Sequence, residues 1–206
     1  MSTQPPHTHP RDIGQLNRAL ADGVRLKFVF FWKHRSDGVV DAGCLSQWAP
    51  SPFTVDGLDF ATAEHYMMWR KATLFGDTGT AERILAAGHP HRPQTLGRQV
   101  AGFDQRTWEE HRYDIVLAAS VAKFGQDPAL REFLLGTGDR VLVEASPVDP
   151  IWGVGLACDN PDAAVPDRWR GLNLLGFALM DARAALREPT TPDAAATTPR
   201  SRSRSR

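Results

Sequence analysis

The chain has 206 residues, 24 basic and 24 acidic side chains, 42% hydrophobic residues and 9% aromatics, the profile of one globular domain with a single core. Four of the arginines lie in the last 19 residues with Glu188 and Asp193, so residues 1–187 keep 20 basic and 22 acidic groups and are no polycation, which excludes a broad footprint for duplex nucleic acid. No run approaches the roughly 18 apolar residues of a membrane span, and the polar, proline-containing start M-S-T-Q-P-P-H-T-H-P is neither a signal nor a transit peptide, so a cytoplasmic protein with no membrane partner is expected.

Residues 1–22 read as a flexible N-terminal segment with a short helix over 11–21, stopped by Gly23. The β-rich run V-R-L-K-F-V-F-F-W predicts a strand at 25–32, closed by a turn over 33–38. Asp56-Gly57 between Phe53-Thr-Val55 and Leu58-Asp-Phe60 predicts a β-hairpin at 52–60. Thr62 then reads as the N-cap of a helix that stops at Gly76. Short helices follow at 81–87 and 93–100, and the capping-box pattern Thr107-Trp-Glu-Glu110 opens a long helix to about Phe124. Asp127-Pro128 starts another helix, ended by Gly136. A strand is expected at 140–145 and a core-facing helix at 173–186, with Leu174, Leu175, Ala178, Leu179, Ala182 and Leu186 at helical spacing. Strands and helices do not alternate one for one, so the fold class is α+β, a single, mostly helical domain over 23–187 with a few short strands. Residues 188–206 lack any branched or aromatic anchor and read as a disordered Arg/Ser tail. Cys44 and Cys158 form neither a disulfide framework nor a zinc spacing and read as buried thiols.

The helix A-E-H-Y-M-M-W-R-K places Glu64, Met68 and Lys71 on one face, since i, i+4 and i+7 nearly superpose. Read blandly, Glu64 is a solvated helix-start acid and Lys71 a surface lysine; Tyr66, Met67, Met68 and Trp69 favour burial instead. His65, His89 and His91 have no H-E-x-x-H spacing, so no metal is expected. In S-P-V-D-P-I-W-G-V-G-L, prolines 147 and 150 and glycines 153 and 155 make a rigid loop that fixes Asp149 beside Trp152; an Asx turn anchored by the indole is the structural alternative. G-V-G-L is no dinucleotide fingerprint, because position 158 is Cys, and neither a Walker loop nor G-x-S-x-G occurs. Two carboxylates, one lysine and six tryptophans suit a flat aromatic ligand attached to a sugar.

The ordered series L-S-Q-W-A-P (45–50), V-D-G (55–57), T-A-E-H-Y-M-M-W-R-K (62–71), L-G-R (96–98), the Trp108 helix, K-F (123–124), L-L-x-T-G-D (134–139), D-P-I-W-G-V-G-L (149–156) and G-x-N-x-L-G (171–176) resembles the NADAR, or YbiA-like, family. The resemblance runs from about Phe28 to Leu186. It implies an N-glycosidase without a cofactor, acting on a small nucleotide-like substrate. Members of the family split ribosylamino-pyrimidine phosphate intermediates of riboflavin synthesis and release ribose 5-phosphate. Others are ADP-ribosyl hydrolases that free guanine bases, which makes ADP-ribosylated nucleic acid a second partner class; a non-catalytic ADP-ribose-binding module is the third reading. By motif position, the resemblance implies Glu64, Asp149 and Lys71 as catalytic and Trp108, Trp152, Asn173 and Gln47 as substrate-binding. Where the family usually reads L-S-N-F, this chain has Leu45-Ser46-Gln47-Trp48, whose longer amide and larger ring reshape one pocket wall. Lys71 has two uses in such chemistry, as a cation on a phosphate or as an amine forming a Schiff base with ring-opened ribose. The tail's R-S-R-S-R-S-R offers sequence-independent phosphate contacts or is solvated disorder.

Overall fold

The computed structural model describes residues 9–34 and 39–187; the expected tail, the first eight residues and turn positions 35–38 lie outside them. In chain order the described elements are α1 (Ile13–Ala21), β1 (Phe28–Phe31), β2 (Phe53–Val55), β3 (Leu58–Phe60), α2 (Ala63–Leu74), α3 (Thr78–Leu85), α4 (His91–Gly97), α5 (Gln105–Gln126), α6 (Pro128–Gly136), β4 (Val141–Glu144) and α7 (Leu174–Arg187). Single 3-10 turns occupy Ala42–Leu45, Pro161–Ala164 and Pro166–Arg168. Helices dominate, as expected of a single α+β domain.

The strands form two separate pairs. β2 and β3 make the expected antiparallel hairpin, and Asp56 (φ 52°) and Gly57 (φ 76°) both take the left-handed conformation that a two-residue type I′ turn requires. β1 pairs in parallel with β4, Phe28 opposite Val141 and Phe31 opposite Glu144, across a connection of five helices. The strand is shorter than the expected 25–32, because the partner β4 supplies only four residues to pair with. α5 packs along α7 and α2, and α7 covers β4, so Leu142, Phe124 and Phe177 close over one core.

Local capping chemistry moved several boundaries. α3 begins at Thr78 rather than 81, because Asp77 accepts from the Thr80 amide at 3.0 Å. α4 runs over His91–Gly97, earlier than the expected 93–100, and has no side-chain cap. The capping box at Thr107 is not formed. Asp104, the stronger acceptor, takes both the Thr107 amide (2.8 Å) and its hydroxyl (2.7 Å), so α5 starts at Gln105 and Glu110 pairs with Arg106 instead. Asp127 and Pro128 cap α6 as the sequence indicates. Cys44 is buried, with its thiol pushed up to about 11 by burial, whereas Cys158 is exposed, contrary to the expectation of two buried thiols.

The start of the described chain is held by a charge. Asp181 on α7, almost fully buried, accepts from His9 Nε2 (2.9 Å), Arg11 Nε (2.9 Å) and the Tyr113 hydroxyl (2.8 Å), with a further contact to Arg11 Nη2. These donors outweigh desolvation and hold the carboxyl below its usual range. A depressed native pKa contributes stability above the unfolded value of about 3.9, lost as pH falls through the native one. Asp181→Ala is therefore expected to lower unfolding stability by about 3 kcal/mol at pH 7. Urea denaturation measures this, and the deficit should shrink toward pH 3.

Candidate active site

α2 carries the first wall of a cleft. Thr62 caps the helix, and its hydroxyl also meets His65 Nδ1 at 2.8 Å while His65 Nε2 reaches the Ala87 carbonyl at 3.0 Å. His65 thus ties α2 to the end of α3, a structural use. The Gln47 carbonyl accepts the Glu64 amide at 3.0 Å, which fixes the turn at 46–48 against the first turn of α2. The same stretch is held from behind by Lys123, 2% exposed, whose Nζ donates to the carbonyls of Cys44 (2.6 Å) and Ser46 (2.9 Å). Burial lowers its pKa to about 8.

The second wall comes from the end of β4 and the Asp149 loop. Asp149 Oδ1 accepts the amides of Ile151 (2.9 Å) and Trp152 (2.8 Å), which is the Asx geometry the sequence allowed. The following carbonyls of residues 150–153 take the amides of residues 172–175 at 2.9–3.3 Å, so the N-terminus of α7 finds its partners in this loop. Gly171 is required there: a Cβ would lie 2.3 Å from the Gly153 carbonyl oxygen. α4 closes the third side through Gln94, Gly97 and Arg98, and Gly97 lies so close that a Cβ would overlap the Met68 sulfur.

The cleft has two connected chambers. An inner one of about 300 Å³ is lined by Glu64, Lys71, Met68, Gln47 and Trp152 among others. An outer one of about 680 Å³ adds Trp32, Lys33, His34, Ser146 and Val148. Ser46, Trp48, Gln94, Arg98, Glu144 and Asp149 line both and so mark their junction. A larger cavity of about 810 Å³ by Arg140 and Arg183 shares no residue with the cleft, and its arginines donate to the carbonyls and hydroxyl at the end of α6.

The helix-face argument for Glu64, Met68 and Lys71 holds, and the bland reading of a solvated Glu64 does not. Glu64 is 3% exposed, and its Oε1 is buried without a partner. Burial pushes its pKa up to about 8, the negative charge of Asp149 adds to this, and Trp48, Arg98 and Lys71 oppose it. Glu144, which the sequence did not single out, is equally shifted to about 8 by burial, with Asp149 and Glu64 adding, and its Oε2 is also buried without a partner. Its signal was an acid ending the apolar run V-L-V. Lys71 is half-buried, its ammonium 4.2 Å from the Phe103 ring centre and 5.4 Å from that of Trp108, and desolvation lowers its pKa against the raising effect of Glu64.

Gln47 and Trp152 line the inner chamber, but Trp108 and Asn173 are placed elsewhere. Trp108 is buried beside Lys71 and does not line the cleft. Asn173, fully buried with φ 53°, spends its amide on the backbone, accepting from Glu144 N (3.0 Å) and donating to Leu142 O (2.9 Å). It holds the strand that carries Glu144. Trp48 and Trp32 supply the aromatic surface instead. Among the described residues, no group of three or more His, Cys, Asp or Glu is placed to hold a metal ion, and no helix is long and apolar enough to cross a membrane.

Comparison with known proteins bears on this arrangement. Residues 30–187 match the NADAR domain. The chain belongs to the NADAR domain family. Its relatives include the N-glycosidase R617 of Acanthamoeba polyphaga mimivirus, 39% identical over 76% of this chain and 95% of that protein. The N-glycosidase YbiA of Escherichia coli is 32% identical over 71% of this chain and 82% of that one. The NMR structure of Escherichia coli YbiA superposes with a TM-score of 0.62 at 29% identity, covering 78% of this chain and 84% of that one. Glu64, Lys71, Glu144 and Asp149 all fall within the matched NADAR residues.

Acids with raised native pKa values keep protons that the unfolded chain releases above about pH 4, so their stabilising contribution is full below that value and lost as pH rises toward 8. Glu64→Gln is expected to be more stable than the parent by on the order of 3 kcal/mol at pH 8 and equal to it at pH 4. Urea unfolding at the two pH values checks the sign.

Proposed function

We propose that this NADAR-family enzyme, an N-glycoside hydrolase, cleaves the C–N bond of a ribosylamino-pyrimidine phosphate and releases ribose 5-phosphate. The observation that carries the reading is the inner chamber itself, where two carboxyls of raised pKa, Asp149 and the amine of Lys71 converge on a space of about 300 Å³, the lower end of ligand-pocket size. The ribose occupies that chamber, and its C1′ lies at the junction. Breaking the bond leaves the electron pair on the departing nitrogen and positive character on the sugar. Glu144, protonated at neutral pH, gives its proton to the leaving base; the Asp149 carboxylate steadies the sugar cation and takes a proton from the attacking water. Glu64, also protonated, donates to a sugar oxygen deeper in the chamber.

In place of direct attack by water on the closed sugar, the lowered pKa of Lys71 supports a second route: its amine attacks C1′ of the ring-opened sugar, the base departs with the proton from Glu144, and water hydrolyses the resulting imine. Borohydride added during turnover should then leave a ribityl phosphate adduct on Lys71, whereas a cation that only contacts phosphate gives none. The alternative substrate, ADP-ribose on guanine, is favoured by the outer chamber of about 680 Å³, large enough to admit more than a pyrimidine. A non-catalytic binding module would bind without forming product.

Mass spectrometry of products from the two substrates, side by side, decides between them. Ribose 5-phosphate from the first supports the proposed substrate, and ADP-ribose from a modified guanine oligonucleotide supports the alternative. Glu144→Gln and Asp149→Asn should each lower kcat at least about 100-fold on the true substrate while the circular dichroism spectrum stays unchanged. Parental turnover in either variant would remove that residue from the chemistry.

A further inference from the structure

The cavity of about 810 Å³ that shares no residue with the cleft collects charge of one sign. Arg25, Lys27, Arg140, Arg183 and Arg187 line it against a single acid, Asp139, while the rest of residues 1–187 holds 15 basic and 21 acidic groups. Helix capping explains part of this cluster. Arg140 and Arg187 donate to the carbonyls of residues 136–138 that end α6, and Arg187 also pairs with Asp139 at 3.0 Å. Arg183 is not spent that way. It is 2% exposed, and only its Nη1 finds acceptors among the described residues, the Thr137 hydroxyl at 2.7 Å and the Arg140 carbonyl at 2.9 Å. Its Nε and Nη2 donors have none, no carboxylate among the described residues pairs with it, and burial with the nearby charge of Arg187 lowers its pKa to about 10. A buried guanidinium with unspent donors and no counterion costs stability that an anion in the cavity recovers. Arg25 and Lys27, exposed on the wall of the same cavity, also have no partner among the described residues.

We propose that this cavity binds a small polyphosphate, an anion with at least two linked phosphate groups, held by Arg183 from the buried side and by Arg25 and Lys27 at the surface, at a site separate from the catalytic cleft. The lining sets the chemistry. Apart from its cations it presents Ala19, Val24 and Leu26, and its one ring, His9, is engaged by Asp181, so nothing is placed to stack on a base and recognition falls on the phosphates. Cations gathered at one cavity of an otherwise acidic domain favour a compact anion over a nucleic acid strand. The site also has a defined relation to the cleft. Lys27 and Arg140 immediately precede β1 and β4, and the Lys27 carbonyl accepts the Val141 amide at 2.8 Å. Glu144, at the other end of β4, lines the cleft, so about 13 Å of paired strand separate the two sites. A bound anion ties the entry of both strands to α7 through Arg183.

Calorimetry on the full-length protein tests this with pyrophosphate as the probe and with orthophosphate and a single-stranded oligonucleotide as comparisons. Pyrophosphate should bind, and orthophosphate at least about tenfold more weakly. Arg25→Ala combined with Lys27→Ala, at exposed positions, should raise the pyrophosphate Kd at least about tenfold, and Arg183→Gln should abolish measurable binding. Arg98→Ala, in the cleft, should leave the Kd unchanged. Pyrophosphate should also raise the Tm of the parent and do so less in the double variant. Because Arg183→Gln removes bonds to the end of α6, the double variant is the one that decides. No pyrophosphate binding, or an unchanged Kd in the double variant, would overturn the proposal and leave helix capping as the whole use of the cluster. Loss of binding in Arg98→Ala would place the anion in the cleft, and displacement of pyrophosphate by the oligonucleotide would make the occupant a nucleic acid strand; either result overturns it as well.

Discussion

The backbone amides of residues 172–175, which lead into and open α7, are satisfied by the carbonyls of residues 150–153, in the loop that carries Asp149 and Trp152. Buried backbone donors must find acceptors, so the most buried helix of the fold can start only where that loop supplies them. The loop in turn can hold only the path that aims its carbonyls at α7, and this leaves the Asp149 carboxylate to accept its own following amides at the edge of the cleft. Asn173, at the head of α7, adds a bond to the Glu144 amide, so one junction orients two of the three acids. Prolines 147 and 150 restrict the same loop before it forms these bonds, which reduces the entropy lost in ordering it.

On this frame the cleft gathers groups that oppose the stability of the fold. Glu64 and Glu144 are desolvated, lack partners for one oxygen each, and lie in the field of Asp149. Natural proteins accept such destabilised groups where chemistry requires them, and the remainder of the core compensates. The compensation is visible around the site. Asp181 anchors the segment before α1, and Lys123 ties the wall at 44–46 to α5, each a buried charge with several hydrogen bonds. Lys123 and Lys71 illustrate the two fates of a desolvated ammonium: Lys123 is spent on two carbonyls, and Lys71 faces the cleft with aromatic rings behind it.

Much of this was legible from residue order, and the limits have physical causes. The Asp56-Gly57 hairpin, the Thr62 cap and the shared face of Glu64, Met68 and Lys71 depend on local geometry, which a sequence displays directly. The parallel pairing of β1 with β4 joins residues more than a hundred positions apart, and no local pattern encodes it. Glu144 escaped notice for the same reason, since its meaning comes from the chain brought against it. Trp108 and Asn173 carry motif positions in the family pattern, but burial turns both to support: the indole backs Lys71, and the amide holds β4. Thr107 shows how a local rule yields to a stronger neighbour, as Asp104 takes the capping role three residues earlier.

The catalytic roles of Glu64 and Glu144 depend on the cleft keeping both carboxyls neutral at physiological pH, and this dependence can be measured. Its most direct test is a titration of the ligand-free protein with carbon-13-labelled glutamate, followed by NMR of the side-chain carboxyls, with Glu64→Gln and Glu144→Gln used to assign the signals. The account predicts two glutamate resonances that titrate near pH 8, each lost in one variant and shifted to lower pH in the other. Titration of both at about pH 4, the ordinary range for glutamate, would contradict it.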